Sequence, residues 1–258
     1  MSRLPLMVEC QGKRCGATLD SAPGTTGLLM VSGGNEVRAG AFTGASRLAG
    51  EIAAKGFPVF RFDRRGVGDS EGENRGYRKS RKDIAAALLA FRALAPQVER
   101  VVAFGNCDAA TALMLASGAE CDALALSNPW VIDDETDTTP SPAAIRSRYA
   151  SKLANPAELK RLLTGKVDLR KLVRGLGRAA QPRPAASSLA EEARDGLAVF
   201  LGPVTILLAE NDRTALHFAE QWDSADTRIR RCPNAGHAYA GDAAHGWLRA
   251  QLLEALRA

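Results

Sequence analysis

Aromatic residues are scarce in this chain: Phe, Trp and Tyr make up 5% of its 258 residues. None of them alternates with the basic stretches, as a stacking platform for single-stranded nucleic acid requires. No apolar run approaches the ~20 residues of a membrane-spanning helix. No apolar stretch precedes a cleavage site near the N-terminus, so no signal peptide is expected. Cysteine is sparse and odd in number, five in all, with no Cys-x-x-Cys pair. That excludes a disulfide framework and a clustered Cys/His metal site, and points to a reducing, cytoplasmic setting. Glycine-rich phosphate signatures are missing too: the chain holds neither Gly-Lys-[Ser/Thr] nor Gly-x-Gly-x-x-Gly. The expectation is a chain without cofactor or metal, with no nucleic-acid partner and no membrane insertion.

What is present is an alternation. Short apolar runs predict strands at Leu6–Glu9, Gly16–Leu19, Leu28–Val31, Pro58–Phe62, Val101–Phe104, Ala123–Ser127, Thr205–Ala209 and Arg228–Arg231. The middle runs are continuously apolar, as strands buried on both faces must be. The first two, joined by Gln11–Arg14, read as an antiparallel edge hairpin. Helical periodicity fills the gaps. Ser80 with Asp83 suggests a capping box opening a helix to Leu94. Asp108–Ser117 is rich in Ala and Leu. Leu248, Leu252 and Leu256 share one stripe of a terminal helix. This is an α/β layering with right-handed crossovers.

One segment breaks the rhythm. Between Pro129 and Pro203 no good strand appears. The segment starts acidic, turns basic and Leu-rich, and is interrupted at Pro182–Pro184. Ser188 with Glu191 reads as the start of a further helix. Residues 130–202 are therefore expected to form a helical lid inserted in one domain spanning 1–258. The net charge of +5 is spread along the chain; the densest basic stretches, Arg75–Lys82 and Lys160–Arg178, read as solvated helix faces.

The chemistry lies at Val101–Ala109. An apolar strand runs into Gly105-Asn106-Cys107-Asp108-Ala109, and a small-residue helix follows. A sharp strand-to-helix turn would push Cys107 into an exposed, strained position. The small Gly105 and Ala109 let strand and helix approach, and the helix N-terminus favours a thiolate. Histidine is rare, at three residues. His237 follows the last predicted strand in Asn234-Ala235-Gly236-His237 and is the expected general base. His217 and His245 lie in helices and read as packing or surface residues. Asp212, just past the seventh predicted strand, is the expected acid, with Glu210 as the alternative. The backbone N–H of Asp108 is one candidate oxyanion donor. The glycine turn Ser32-Gly33-Gly34-Asn35 offers Gly34 or Asn35 as the other. Arg38, Asn106 and Trp130 are candidate substrate contacts. The loop Asp63–Ser70 reads as structural, and Ser70 lacks an elbow of its own.

These pieces, in this order, resemble the α/β-hydrolase superfamily. They resemble most the bacterial group called exosortase A system-associated hydrolase 1. The motifs are Gly33-Gly34 with Arg38 and Gly40, Gly56-Phe57-Pro58-Val59, Arg61-Phe62-Asp63, and Arg65-Gly66-x-Gly68-Asp69-Ser70-Glu71-Gly72. Gly105-x-Cys107-Asp108-Ala109-Ala110 and Asn128-Pro129-Trp130 follow. The likeness runs from Leu28 to the C-terminus and is weakest in the lid. It implies a mostly parallel eight-stranded sheet flanked by helices. It also implies a hydrolase or acyltransferase acting in surface-polymer biosynthesis, with no particular substrate; the cysteine chemistry itself points to a small-molecule acyl ester or thioester. Asn106 stands where that group has an apolar residue. A non-catalytic binding module is the remaining reading, and the intact Cys, His and acid set weighs against it.

Overall fold

Strand pairing follows burial. In the computed structural model, which describes residues 2–133 and 187–258, all eight expected strands are present. They are β1 (Arg3–Cys10), β2 (Lys13–Asp20), β3 (Thr26–Val31), β4 (Val59–Phe62), β5 (Arg100–Asn106), β6 (Ala123–Ser127), β7 (Val204–Ala209) and β8 (Ile229–Cys232). They form one sheet in the order β1-β2-β4-β3-β5-β6-β7-β8. β1 pairs antiparallel with β2, and β2 antiparallel with β4; every other pair is parallel. β1 outgrows its apolar run because its register with β2 continues from Arg3 opposite Asp20 to Cys10 opposite Lys13. The hairpin closes through Gln11 and Gly12, both at positive φ, as a two-residue hairpin turn demands.

The helices are α1 (Gly44–Ala53), α2 (Arg81–Leu94), α3 (Asp108–Leu115), α4 (Ser188–Ala198), α5 (Arg213–Gln221) and α6 (Asp242–Arg257). Central strands feed two cores by period-two alternation. Leu29, Val31, Val101 and Ala103 point into one core with α2, α3, α4 and α5. Leu28, Met30, Val102 and Phe104 point into the other with α1 and α6. This is why those strands read as unbroken apolar runs.

Three expectations need correction. Ser80 and Asp83 make no capping box. The Ser80 hydroxyl donates to the Gly76 carbonyl and accepts from Arg64, while the Asp83 carboxylate holds Arg65. Charged arginines outcompete a neutral helix N–H for these oxygens. The cap of α4 is Ser187, not Ser188: its Oγ accepts the Ala190 N–H at 3.0 Å. Ser188 instead bonds Asp133. Last, α4 is not lid. Leu189, Ala190, Ala193 and Leu197 are buried, and Ala190, Ala193 and Leu197 share a core with α3. The rest of the expected lid, 134–186, lies outside the described residues.

Candidate active site

Cys107 sits where strand becomes helix. β5 ends at Asn106 and α3 begins at Asp108. Between them Cys107 adopts φ 61°, ψ −127°, a conformation costly for a non-glycine residue and typical of functional sites. The turn is held by the Cys107 N–H on the Ser127 carbonyl, 2.9 Å, and by the Cys107 carbonyl, which accepts the Ala110 N–H. A Cβ at Gly105 would meet the Ala109 carbonyl carbon at 2.7 Å. The glycine is thus required by the close passage of α3.

His237 and Asp212 come to Cys107 from the ends of the next strands. His237 Nδ1 lies 3.0 Å from Asp212 Oδ2, and the ring is near enough to the Cys107 thiol for that contact to act on its pKa. Asp212 is buried and fixed from behind, since its Oδ2 also accepts the Ala215 N–H at the start of α5. The Asp212 hydrogen bond is the largest cause raising the His237 pKa from 6.5 to about 10. The Cys107 contact adds to the rise, and burial opposes it. Glu210, the alternative acid, is exposed and borders a different cleft beside Arg231. His217 pairs with Gln221; His245 borders the same cavity as Cys107 and His237, but its ring is taken by Glu51 at 2.9 Å.

A buried polar network pins the histidine loop. Asn106 Nδ2 donates to the His237 carbonyl at 3.2 Å, and Asn106 Oδ1 accepts from Asn128 at 2.9 Å. Asn128, fully buried, also accepts the Ala209 N–H at 2.9 Å. The Tyr239 hydroxyl closes the network against Ser127 at 3.0 Å. Asn106 therefore positions the His237 loop, although it borders the cavity as well. No role for Asn128, Ser127 or Tyr239 follows from the sequence. The available signal was a polar Ser-Asn pair ending an otherwise apolar run.

The cavity over the elbow measures about 630 Å³, within the range of small-ligand sites. Cys107, His237, Asp108, Gly34, Asn35, Asn106 and Trp130 all border it, with Met30, Leu48, Phe104 and Leu248 as an apolar wall. Trp130 is anchored, its indole N–H donating to the Ile132 carbonyl at 3.1 Å. Gly34 is less simple than expected: its N–H donates to the Asp108 carboxylate at 2.7 Å.

Arg38 is a correction. It does not border the cavity. Its guanidinium binds the fully buried Asp63, and Asp69 at 2.9 Å, while its carbonyl accepts from Arg61. A charge pair with a buried carboxylate leaves no cation for substrate. Arg38→Ala should leave KM unchanged and lower unfolding free energy by about 3 kcal/mol, the cost of stranding a buried charge. Urea titration beside steady-state kinetics checks both halves.

All five cysteines lie in the described residues. Cys10, Cys15, Cys121 and Cys232 are buried, and Cys107 is half-buried. Burial pushes Cys10 up to about 11 and Cys121 up to about 12, and raises Cys15 and Cys232 too. Among the described residues no cluster of His, Cys, Asp or Glu could hold a metal ion, and no helix is long and apolar enough to cross a membrane.

Comparison with known proteins follows the geometry. A family model described as "Alpha/beta hydrolase family" matches residues 28–251. The esterase Pf2001 of Pyrococcus furiosus superposes with a TM-score of 0.62 at 12% identity, covering 99% of this chain and 90% of that one. XC6422 from Xanthomonas campestris, described as an a/b serine hydrolase without lid, gives 0.61 at 14%, covering 100% and 94%. A thioesterase domain from the curacin biosynthetic pathway gives 0.58 at 15%, covering 98% and 100%. No curated protein matches by sequence.

Proposed function

Because the chain belongs to the alpha/beta hydrolase family, we propose that it cleaves an ester or thioester through a covalent acyl-enzyme on Cys107. The observation that carries this is the His237 ring, held by Asp212 through Nδ1 at 3.0 Å and lining the same cavity as Cys107, whose contact helps raise the His237 pKa. The esterase and thioesterase among the structural neighbours support the bond type.

The steps follow from the parts. His237 takes the Cys107 proton, and Asp212 stabilises the imidazolium. The thiolate adds to the substrate carbonyl, and backbone N–H groups at the start of α3 and in the loop after β3 steady the oxyanion. Collapse expels an alkoxide or thiolate, which His237 protonates. A water, deprotonated by His237, then attacks the thioester and frees the acid and the thiol. The narrower resemblance to exosortase A system-associated hydrolase 1, carried by the sequence motifs, sets this reaction in surface-polymer biosynthesis.

Intact-protein mass spectrometry after brief exposure to p-nitrophenyl acetate tests the reading. The native chain should gain one acetyl, Cys107→Ala none, and His237→Ala the same adduct at least about 10²-fold more slowly. An equal adduct on Cys107→Ala would refute the cysteine nucleophile. Adding an alcohol acceptor separates acyl transfer from hydrolysis by product mass.

A further inference from the structure

The residue after the nucleophile carries a carboxylate, and that carboxylate points into the loop that should polarise the substrate. Asp108 is the first residue of α3, where the helix terminus favours negative charge. Its Oδ1 accepts the Gly34 N–H at 2.7 Å. An oxyanion needs its donors at about that distance, so Asp108 fills the position an oxyanion would take at Gly34. The loop is shaped around it: a Cβ on Gly33 would sit 2.5 Å from Asp108 Oδ1. Arg64 completes the arrangement. Its side chain is 4% exposed and lies 3.8 Å from Asp108 Oδ2. It also donates to the Gly34 carbonyl and, at 2.9 Å, to Ser80 Oγ.

We propose that the Asp108 side chain is a built-in occupant of the oxyanion site, a specificity-determining brake that a substrate must displace before Cys107 can be acylated. This rests on the acyl-enzyme reading above. While the carboxylate holds Gly34, an incoming carbonyl loses one donor and meets a like charge as its oxygen becomes negative. Arg64 gives the displaced carboxylate a partner, so release needs only a small swing toward Oδ2's side. Small activated esters, which bring little binding energy, are held back most. Substrates that bind well along the cavity wall can drive the displacement.

The test compares two reactions of Cys107 in native protein, Asp108→Ala and Asp108→Asn. Acetylation by p-nitrophenyl acetate needs the oxyanion site. Alkylation by iodoacetamide needs only the thiolate and corrects for any change in it. The ratio of acetylation to alkylation should rise about 10-fold or more in Asp108→Ala, part of what one oxyanion donor contributes. It should rise less in Asp108→Asn, whose amide oxygen can still accept the Gly34 N–H. Circular dichroism confirms folding, and Asp108→Asn, of equal size, stands in if the alanine variant does not fold. A ratio unchanged or lowered in the folded variants overturns the brake while leaving the nucleophile intact. Acetylation that persists in Cys107→Ala overturns the acyl-enzyme reading instead.

Discussion

Asp212→Asn should leave the protein folded and slow acetylation of Cys107 by about 10³-fold. Asparagine suits the experiment because Asp212 has two duties. Its Oδ2 caps α5 through the Ala215 N–H at 3.1 Å and holds His237 Nδ1 at 3.0 Å. Asn caps a helix about as well as Asp, so only the charge facing the imidazole is lost. In the native chain the His237 pKa is raised to about 10, first by the Asp212 hydrogen bond. Without that charge its pKa falls back toward the ordinary value. The pH profile of Cys107 acetylation should then shift to lower pH with the His237 pKa. Stability carries the same signature. A histidine whose folded pKa is raised contributes in full below its unfolded pKa, about 6.5. That contribution fades as pH climbs toward 10, and Asp212→Asn should flatten the slope. Matching pH profiles for native and variant would remove Asp212 from the mechanism.

Gly105→Val should unfold the elbow. A Cβ there meets the Ala109 carbonyl carbon at 2.7 Å, and the Ala109 oxygen and Ala110 nitrogen at 2.8 Å. All three are backbone atoms of α3, with no side chain to swing aside. Strand and helix must part, at a cost of about 3 kcal/mol or more. The urea midpoint should fall accordingly, and acetylation with it. Gly236→Ala is the control. It precedes His237, yet a Cβ there meets nothing within 4 Å, and its midpoint should move by no more than about 0.5 kcal/mol in equivalent stability. Equal shifts in the two variants would mean that the close approach at Gly105 does not matter.

What could be read from sequence divides along physical lines. The central strands were legible because burial on both faces writes them as apolar runs: Leu28–Val31 and Val101–Phe104 feed two cores by alternation. The turn at Cys107 was legible because a close helix approach tolerates only small neighbours. Interactions closed through space were not. Arg38 looked like a cation near a glycine turn, and nothing local reveals that Asp63, just past the end of β4, consumes it. Ser80 and Asp83 have capping spacing, yet Arg64 and Arg65, sixteen and eighteen residues upstream, take their oxygens. Helix α4 joined the expected lid because its amphipathic pattern cannot say which neighbour it covers. That Asn106 also holds the His237 loop was not legible, since its partner Asn128 lies far along the chain, just past the end of β6.

The placement of the cysteines has a practical consequence. Four of the five thiols are shut in the two cores with their ionisation suppressed, and only Cys107 reaches the cavity. At neutral pH a maleimide should therefore count intact sites one per chain and carry a single dye to a defined address. Peroxide follows the same path. It would oxidise Cys107 first, and with its four fellow cysteines buried no exposed thiol waits to trap the sulfenic acid as a disulfide. The residue proposed as the nucleophile is also the chain's expected point of chemical ageing.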